Sequence, residues 1–359
     1  MKRMQSFGFI LVVVVSFFLL TELSRAASSE AKPITLSFSE VGPPAGLKAV
    51  WDQWFCDEVE KRTNGRVKVK LYFAETLLKN RELLLGLKNG VADIGMMGAM
   101  WFPAQIPLQT AFSIPALGPP PEFTKNPTNV VKVMWELWDT TPAIQAELKK
   151  WNQTLLALSA WLPYELYSKK SIDSLDDLKG MRVRELGAKG RMLYKPYGAI
   201  PVAVSPPELY GALEKGVIDA ISGSLDWGDR FGLKEVSDYL ILAHFNSGSG
   251  IVTINLDSVK KLSPADRDVL FQVGRDYSFQ YAQAAYQSLD KLIAGYKKAG
   301  VKVKEFPEAE RAKWRDSSET KIIEAWLDQV KKTGGNVSDA KEVIGKYLSA
   351  AGASSVMPK

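Results

Sequence analysis

The sequence predicts an α/β fold with parallel sheets, and three observations lead there. Short segments with apolar residues at period two alternate with segments of helical period along most of the chain. The helical segments stop at glycine or Asn-Gly, as at Asn64-Gly65 and Gly90, and a strand pattern resumes within a few residues. Strands separated by helices of this length imply crossover connections.

The elements follow in order. "ITLSF" (34–38) is a strand, 45–62 a helix, and "RVKVKLYF" (66–73) a second strand. A helix around 79–88 leads to the strand "ADIGMM" (92–97). A proline-rich stretch (102–121) without periodicity reads as an ordered loop, and helices over 127–139 and 142–151 precede the strand "TLLALSA" (154–160). The middle third repeats the alternation: strand "YELYSKK", a turn of helix from Ser174, strand "MRVRE", helix "AKGRMLYKPYG" and strand "IPVAVS". Ser205-Pro206-Pro207-Glu208 is a capping box with proline at the first helical position, and it opens "PELYGALEKG". "VIDAIS", "DYLILAHF" and "GIVTINL" complete the strands of this part. Ser263-Pro264-Ala265-Asp266 starts a helix, no proline appears again until Pro307, and apolar residues recur from Leu270 to Tyr296 at helical intervals. That spacing predicts one helix of about 35 residues, ~50 Å long, enough to bridge two lobes. Strand "VKVKEF" and helices over 308–332 and 338–351 end the chain.

Ahead of these elements stands a leader. Lys2 and Arg3 precede an uncharged apolar run from Phe7 to Leu20, and Ser24 and Ala26 supply small residues at cleavage spacing. Residues 1–26 therefore read as a secretory signal peptide, because a membrane span needs ~20 apolar residues; a retained anchor is the rival reading. The lone cysteine, Cys56, lies well beyond this run, so neither a lipid attachment nor an intramolecular disulfide is expected. The remaining chain is long enough for about two domains. The net charge of +6 is spread among acids, with no basic stripe interleaved with aromatics, so nucleic acid is not an expected partner.

Signatures of catalysis are scarce. His244, the single histidine, lies in an apolar strand pattern and reads as a packed or hydrogen-bonded core residue rather than a base. Neither a His/Cys zinc pattern nor a glycine-rich phosphate loop is present. Ser258-Val259-Lys260-Lys261 and Lys332-Thr333-Gly334 imitate two parts of the penicillin-recognising signature. The second of these ends a helix where that chemistry needs a strand, and the S-D-N part is missing. Asp176, Asp177 and Glu208 sit at helix starts. Asp226, in a Gly/Ser-rich loop beside Trp227, reads as a turn residue or a ligand contact.

Two features remain. In "DLKGMRVREL" a strand over 181–185 places Arg182 and Arg184 on one face. That is either a solvated basic edge or a site for an anion. Trp101, Trp161, Tyr164 and Trp227 lie at strand ends or in the loops after them, where open α/β sheets bind ligands, although ordinary packing also accounts for each.

Together these features resemble the solute-binding proteins of TRAP transporters, of the dicarboxylate-binding-protein (DctP) type. The resemblance runs from about 34 to 345. It rests on "TNGRVKVKLY", "GVADIG", "SIPAL", "SKKSIDSLDDLKGMRVR" and "GAIPVAVSPPELYGALEKGVIDA" in this order, with the long helix after "KKLSPADRDVL". It implies a two-lobed clam-shell with lobe-crossing strands and a long bridging helix, lobe I being roughly 27–161 with 250–289 and lobe II 162–249 with 290–359. It implies a periplasmic receptor that is not an enzyme, needs no cofactor and has no metal-ligand set of its own, and hands an organic carboxylate to an ion-driven TRAP permease; a metal bridging the ligand and Asp226 stays open. Arg184 stands where the family places a carboxylate-binding arginine, and a guanidinium fork matches a carboxylate; Arg182 is then left to a salt bridge. The expected ligand set is Arg184, Trp161, Tyr164, Trp101, Asp226 and Trp227. Tyr164 stands where some members carry a second arginine, and "ISGSLDWG" replaces the Glu-Asn or Glu-Trp pair of others. The aromatic residues suit an aromatic or branched monocarboxylate. A ligand-presenting sensor of the same fold is the alternative, and an exported hydrolase or lyase is disfavoured by the missing nucleophile and base.

Overall fold

The computed structural model describes residues 32–113, 121–185, 192–244 and 248–353. The expected signal peptide, most of "SIPAL" and the start of the helix expected after Glu185 lie outside them.

The first sheet has strand order β2-β1-β3-β10-β4. β1 (Ile34–Ser39), helix α1 (Gly46–Arg62), β2 (Val67–Tyr72), helix α2 (Leu83–Lys88) and β3 (Ile94–Met97) follow in chain order. β1 runs parallel to β3, with Phe38 opposite Ile94, as the crossover pattern requires. Asn126 starts α3 (Pro127–Thr140) by accepting the Thr128 N–H at 3.0 Å, with proline in the first turn. Helix α4 (Pro142–Lys149) and β4 (Gln153–Ala160) come next.

The second sheet has order β11-β9-β5-β8-β6-β7. Its first five strands in the chain are β5 (Tyr164–Ser168), β6 (Arg182–Arg184), β7 (Ile200–Val202), β8 (Ala220–Ser224) and β9 (Tyr239–Leu242). Helix α5 (Leu209–Glu214) precedes β8 and helix α6 (Trp227–Arg230) follows it. β6 lies between β7 and β8, parallel to both.

Both sheets are mixed, which corrects the expectation of parallel sheets. β5 is antiparallel to β8 and β9, and β10 (Ser249–Asn255) is antiparallel to β3 and β4. The reason is the crossing of the chain from sheet to sheet. Only Trp161, Leu162 and Pro163 separate β4 in the first sheet from β5 in the second, so β5 enters its sheet directly from the other one and not through a crossover helix.

The expected helix of about 35 residues is also corrected. It divides into α7 (Pro264–Gln287) and α8 (Leu289–Lys298) at Ser288, whose hydroxyl donates to the Ala285 carbonyl at 2.7 Å and competes with the backbone ladder. The bridging role survives the break. α7 packs on β4, α1 and α3, and Gly274 lies so close that a Cβ there would sit 2.2 Å from the Leu156 carbonyl oxygen. At the other end Ala285 and Tyr296 join the second sheet's core with Tyr167 and Leu240.

β11 (Lys302–Glu305) leads into α9 (Glu308–Lys332), a second long connector. Near its start Trp314 donates its indole N–H to the Leu193 carbonyl at 2.8 Å. Near its end Trp326 donates to Pro107 and Thr110, at 3.1 and 2.8 Å. Both indoles are fully buried, so each N–H needs its partner. The last helix, α10 (Val337–Ala350), packs against α3.

Candidate functional site

The C-terminal ends of parallel strands from both sheets converge on one cleft. Val41 and Gly42 follow β1, Met100 and Trp101 follow β3, Arg184 ends β6, and Trp227 follows β8. Trp161 and Tyr164 come from the crossing between the sheets. The cleft holds about 590 Å³ of empty space with its open mouth included.

Arg184 is its centre. The side chain is 2% exposed. Nε donates to the Val204 carbonyl at 3.1 Å and Nη1 to the Ser222 carbonyl at 3.2 Å, which fixes the plane of the guanidinium. Nη2 is buried without a partner, and Arg184 makes no salt bridge among the described residues. Burial lowers its pKa from the ordinary arginine value against the opposing fields of Glu185, Tyr164 and Tyr194, yet arginine keeps its proton. A buried cation without a counter-charge costs several kcal/mol. Arg182, two residues earlier, meets the other fate. It forms a forked pair with Asp219, at 2.9 and 3.0 Å, and is partly exposed.

An aromatic wall encloses the guanidinium. Its Cζ lies 4.9 Å from the ring centre of Trp227, a cation–π distance. Trp227 packs 5.8 Å from Tyr164 and 5.5 Å from Phe231, and Tyr164 packs 5.8 Å from Trp161. Trp227 lies against β8 because Gly223 has no side chain; a Cβ there would sit 2.3 Å from the indole. Across the cleft Trp101 contributes a buried indole N–H without a partner. Met96 and Met100 add adaptable apolar surface.

Five of the six residues expected from the sequence thus line one cleft: Trp101, Trp161, Tyr164, Arg184 and Trp227. Asp226 does not. It accepts a hydrogen bond from the Ser224 hydroxyl and lines a neighbouring cavity with Lys48, Arg230 and Ser288. The sequence reading missed Arg230, which lines the cleft and pairs with Glu40 at 2.8 Å. Its signal was available: Arg230 stands three residues after Trp227 on α6, one turn along the same face.

The other singled-out residues have structural roles. His244 lies outside β9 in a left-handed backbone conformation (φ 48°), with Nδ1 2.7 Å from Glu165. Burial pushes the Cys56 thiol well above its usual pKa, as suits a packed residue. Among the described residues there is neither a metal-holding cluster of His, Cys, Asp and Glu nor a helix long and apolar enough to cross a membrane.

The sequence model of the family described as "Bacterial extracellular solute-binding protein, family 7" matches residues 38–329. The chain belongs to this family. The sialic acid-binding periplasmic protein SiaP of Vibrio cholerae is 26% identical over 290 residues, covering 78% of this chain and 85% of SiaP. Among solved structures, DctP7 of Bordetella pertussis is an extracytoplasmic solute receptor binding pyroglutamic acid. It is 25% identical with a TM-score of 0.76, over 87% of this chain and 99% of that one. A TRAP periplasmic solute-binding protein of Desulfovibrio salexigens is 26% identical with a TM-score of 0.72, over 88% and 96%. The family 7 assignment and these neighbours make the chain a TRAP-type solute-binding protein of two-lobed α/β fold. Proteins of this type bind small carboxylates and work with a membrane permease.

Proposed function

We propose that this protein is the periplasmic receptor of a TRAP transporter, and that it captures an aromatic or branched monocarboxylate and delivers it to the ion-driven permease. The observation that carries the reading is the Arg184 Nη2 group, buried without a partner at the centre of an aromatic cleft. A ligand carboxylate would supply the missing counter-charge, and exclusion of water would strengthen the pair. Trp161, Tyr164 and Trp227 offer flat apolar faces to the body of the ligand, and the Trp101 N–H offers it a donor. The pyroglutamic acid of the Bordetella receptor is a compact cyclic monocarboxylate, though not an aromatic one. Binding then requires no covalent chemistry, since a ligand that contacts both sheets favours the closed arrangement by its differential affinity.

In this reading lobe I comprises roughly 27–161 with 250–289, and lobe II 162–249 with 290–359. The packing of α10 on α3 supports returning the last helix to lobe I. Signal-peptide cleavage after Ala26 would release the receptor into the periplasm.

A thermal-shift screen of carboxylic acids on the wild type and Arg184→Ala tests the proposal. An acid at ~100 times its Kd should add ~2.7 kcal/mol and raise the melting temperature visibly. Stabilisation of the wild type alone by aromatic or branched monocarboxylates is expected; equal stabilisation of both chains would remove Arg184 as the clamp.

A further inference from the structure

The cleft contains a second arginine, and the structure gives it a different partner. Arg230 closes α6 and lines the cleft; its Nη2 donates to Glu40, just past the end of β1, so that its charge is paired, while its Nε is buried without a hydrogen-bond partner. Glu40 is fully buried and its contacts are saturated. Oε1 accepts Arg230 Nη2 and the Gly42 N–H, both at 2.8 Å, and Oε2 accepts Lys48 Nζ at 3.0 Å. Lys48 in turn pairs with Asp52, which also accepts the Tyr277 hydroxyl. Burial alone would raise the Glu40 pKa, but the charges of Lys48 and Arg230 and the Gly42 N–H bring it below the ordinary glutamate value, so the carboxylate is ionised at neutral pH. Gly42 makes this seating possible: a Cβ there would lie 1.6 Å from Arg230 Nη2.

Charge bookkeeping follows from these contacts. Glu40, Asp52, Lys48 and Arg230 sum to zero when both carboxylates are ionised, and Asp226 adds a negative field on Arg230. Glu185 also lines the cleft. A ligand with two carboxylates therefore finds Arg184 for the first and no uncompensated cation among the described residues for the second. Its second carboxylate would lose hydration beside Glu40 and Glu185, and like charges brought together across an interface repel.

We propose that Glu40 determines specificity by holding Arg230 out of service, so that the cleft accepts a monocarboxylate and rejects a dicarboxylate. This rests on the carboxylate-receptor reading above. Glu40 is a positioning residue, since it acts on the ligand only through Arg230. It disfavours the wrong ligand by charge, and the second guanidinium remains in the wall as a latent site.

The test compares diacids with their own half-amides, which match in shape and differ by one charge. Succinate, glutarate and phthalate are titrated against succinamate, glutaramate and phthalamate by calorimetry at neutral pH, where both carboxylates are ionised. On the wild type each half-amide should bind about tenfold or more tighter than its diacid. Glu40→Gln should raise diacid affinity by about tenfold and close that gap, and adding Arg230→Gln to the same chain should remove the gain. A purely structural role for Glu40 would weaken both series alike and leave their ratio unchanged. The proposal is overturned if the wild type binds a diacid as tightly as its half-amide, a result that needs no variant to fold. It is equally overturned if folded Glu40→Gln keeps the wild-type ratio. Loss of the carboxylate reading itself gives a different pattern: no member of either series binds, or binding persists in Arg184→Ala, and this inference falls with it.

Discussion

Beside the first sheet, Glu40, Lys48 and Asp52 are withdrawn from water together, each meeting an opposite charge, and the two carboxylates accept further hydrogen bonds from the Gly42 N–H and the Tyr277 hydroxyl. In the second sheet Arg184 is buried as deeply, holds two backbone carbonyls, and forms no salt bridge among the described residues. The two regions face the same desolvation cost and answer it differently. Where a buried charge serves the fold, the chain supplies its counter-charge from a neighbouring turn, as Lys48 does for Asp52 four residues on. Where no salt bridge forms among the described residues, the charge faces a cleft, and in the proposed function a ligand carboxylate is its partner. Arg230 belongs to the first class although it stands in the second region, which is why its presence in the wall does not by itself make a second anion site.

The largest test of this contrast is Lys48→Met. It leaves Glu40 and Asp52 buried without their shared cation and should cost about 3–5 kcal/mol in a denaturant melt. A midpoint close to wild type would mean that the cluster is not what holds that corner together.

Glu147 sharpens the comparison because its partners are dipoles rather than cations. Its two oxygens accept the backbone N–H groups of Leu108 and Gln109, both at 2.9 Å. Burial pushes its pKa from the ordinary 4.5 to about 7, against those two donors. Below the lower value the carboxyl is protonated in folded and unfolded chains alike, and above the upper value it is ionised in both. Between them only the unfolded chain gives up its proton, so the fold loses stability as pH rises through that window. The size is about 3 kcal/mol by linkage. Glu40, held below its ordinary value, contributes with the opposite sign. Melts across this range on wild type and Glu147→Gln should differ in slope, and parallel curves would contradict the assignment.

Trp227→Ala removes the ring over Arg184 and should weaken carboxylate binding by about tenfold, the size of a desolvated cation–π contact. An unchanged Kd would make the ring mere packing. Smallest of all, Arg182→Gln breaks an exposed pair and should move the melting temperature by no more than about 1–2 °C and leave ligand affinity alone. A loss of binding there would reassign the clamp on β6.

Much of this was legible in the sequence, and the failures are physical. Period-two and helical patterns located the strands and helices because each buries one face, but a strand pattern carries no direction, so the antiparallel β5 and β10 could not be read from it. The break at Ser288 turns on one hydroxyl competing for a carbonyl, which leaves the apolar spacing intact. Arg184 stood out because a strand puts it beside Arg182 and because its surrounding motif resembles that of the family. Arg230 was passed over, since its partner Glu40 lies 190 residues away in the chain and nothing local marks the pairing. Asp226 drew attention by standing beside Trp227, yet α6 turns it towards the neighbouring cavity instead.

The central claim is that Arg184 is kept unpaired for a ligand at a cost to the fold. Ligand-free melting and calorimetric titration of Arg184→Met, run beside the wild type with an acid that stabilises the latter, measure both halves of it. The expected result is a ligand-free melting temperature equal to or above wild type, because an uncompensated buried charge has gone, together with a loss of affinity of about 100-fold or more. A variant that melts well below wild type yet keeps its affinity would show that Arg184 holds the sheet together and leaves the carboxylate to another group.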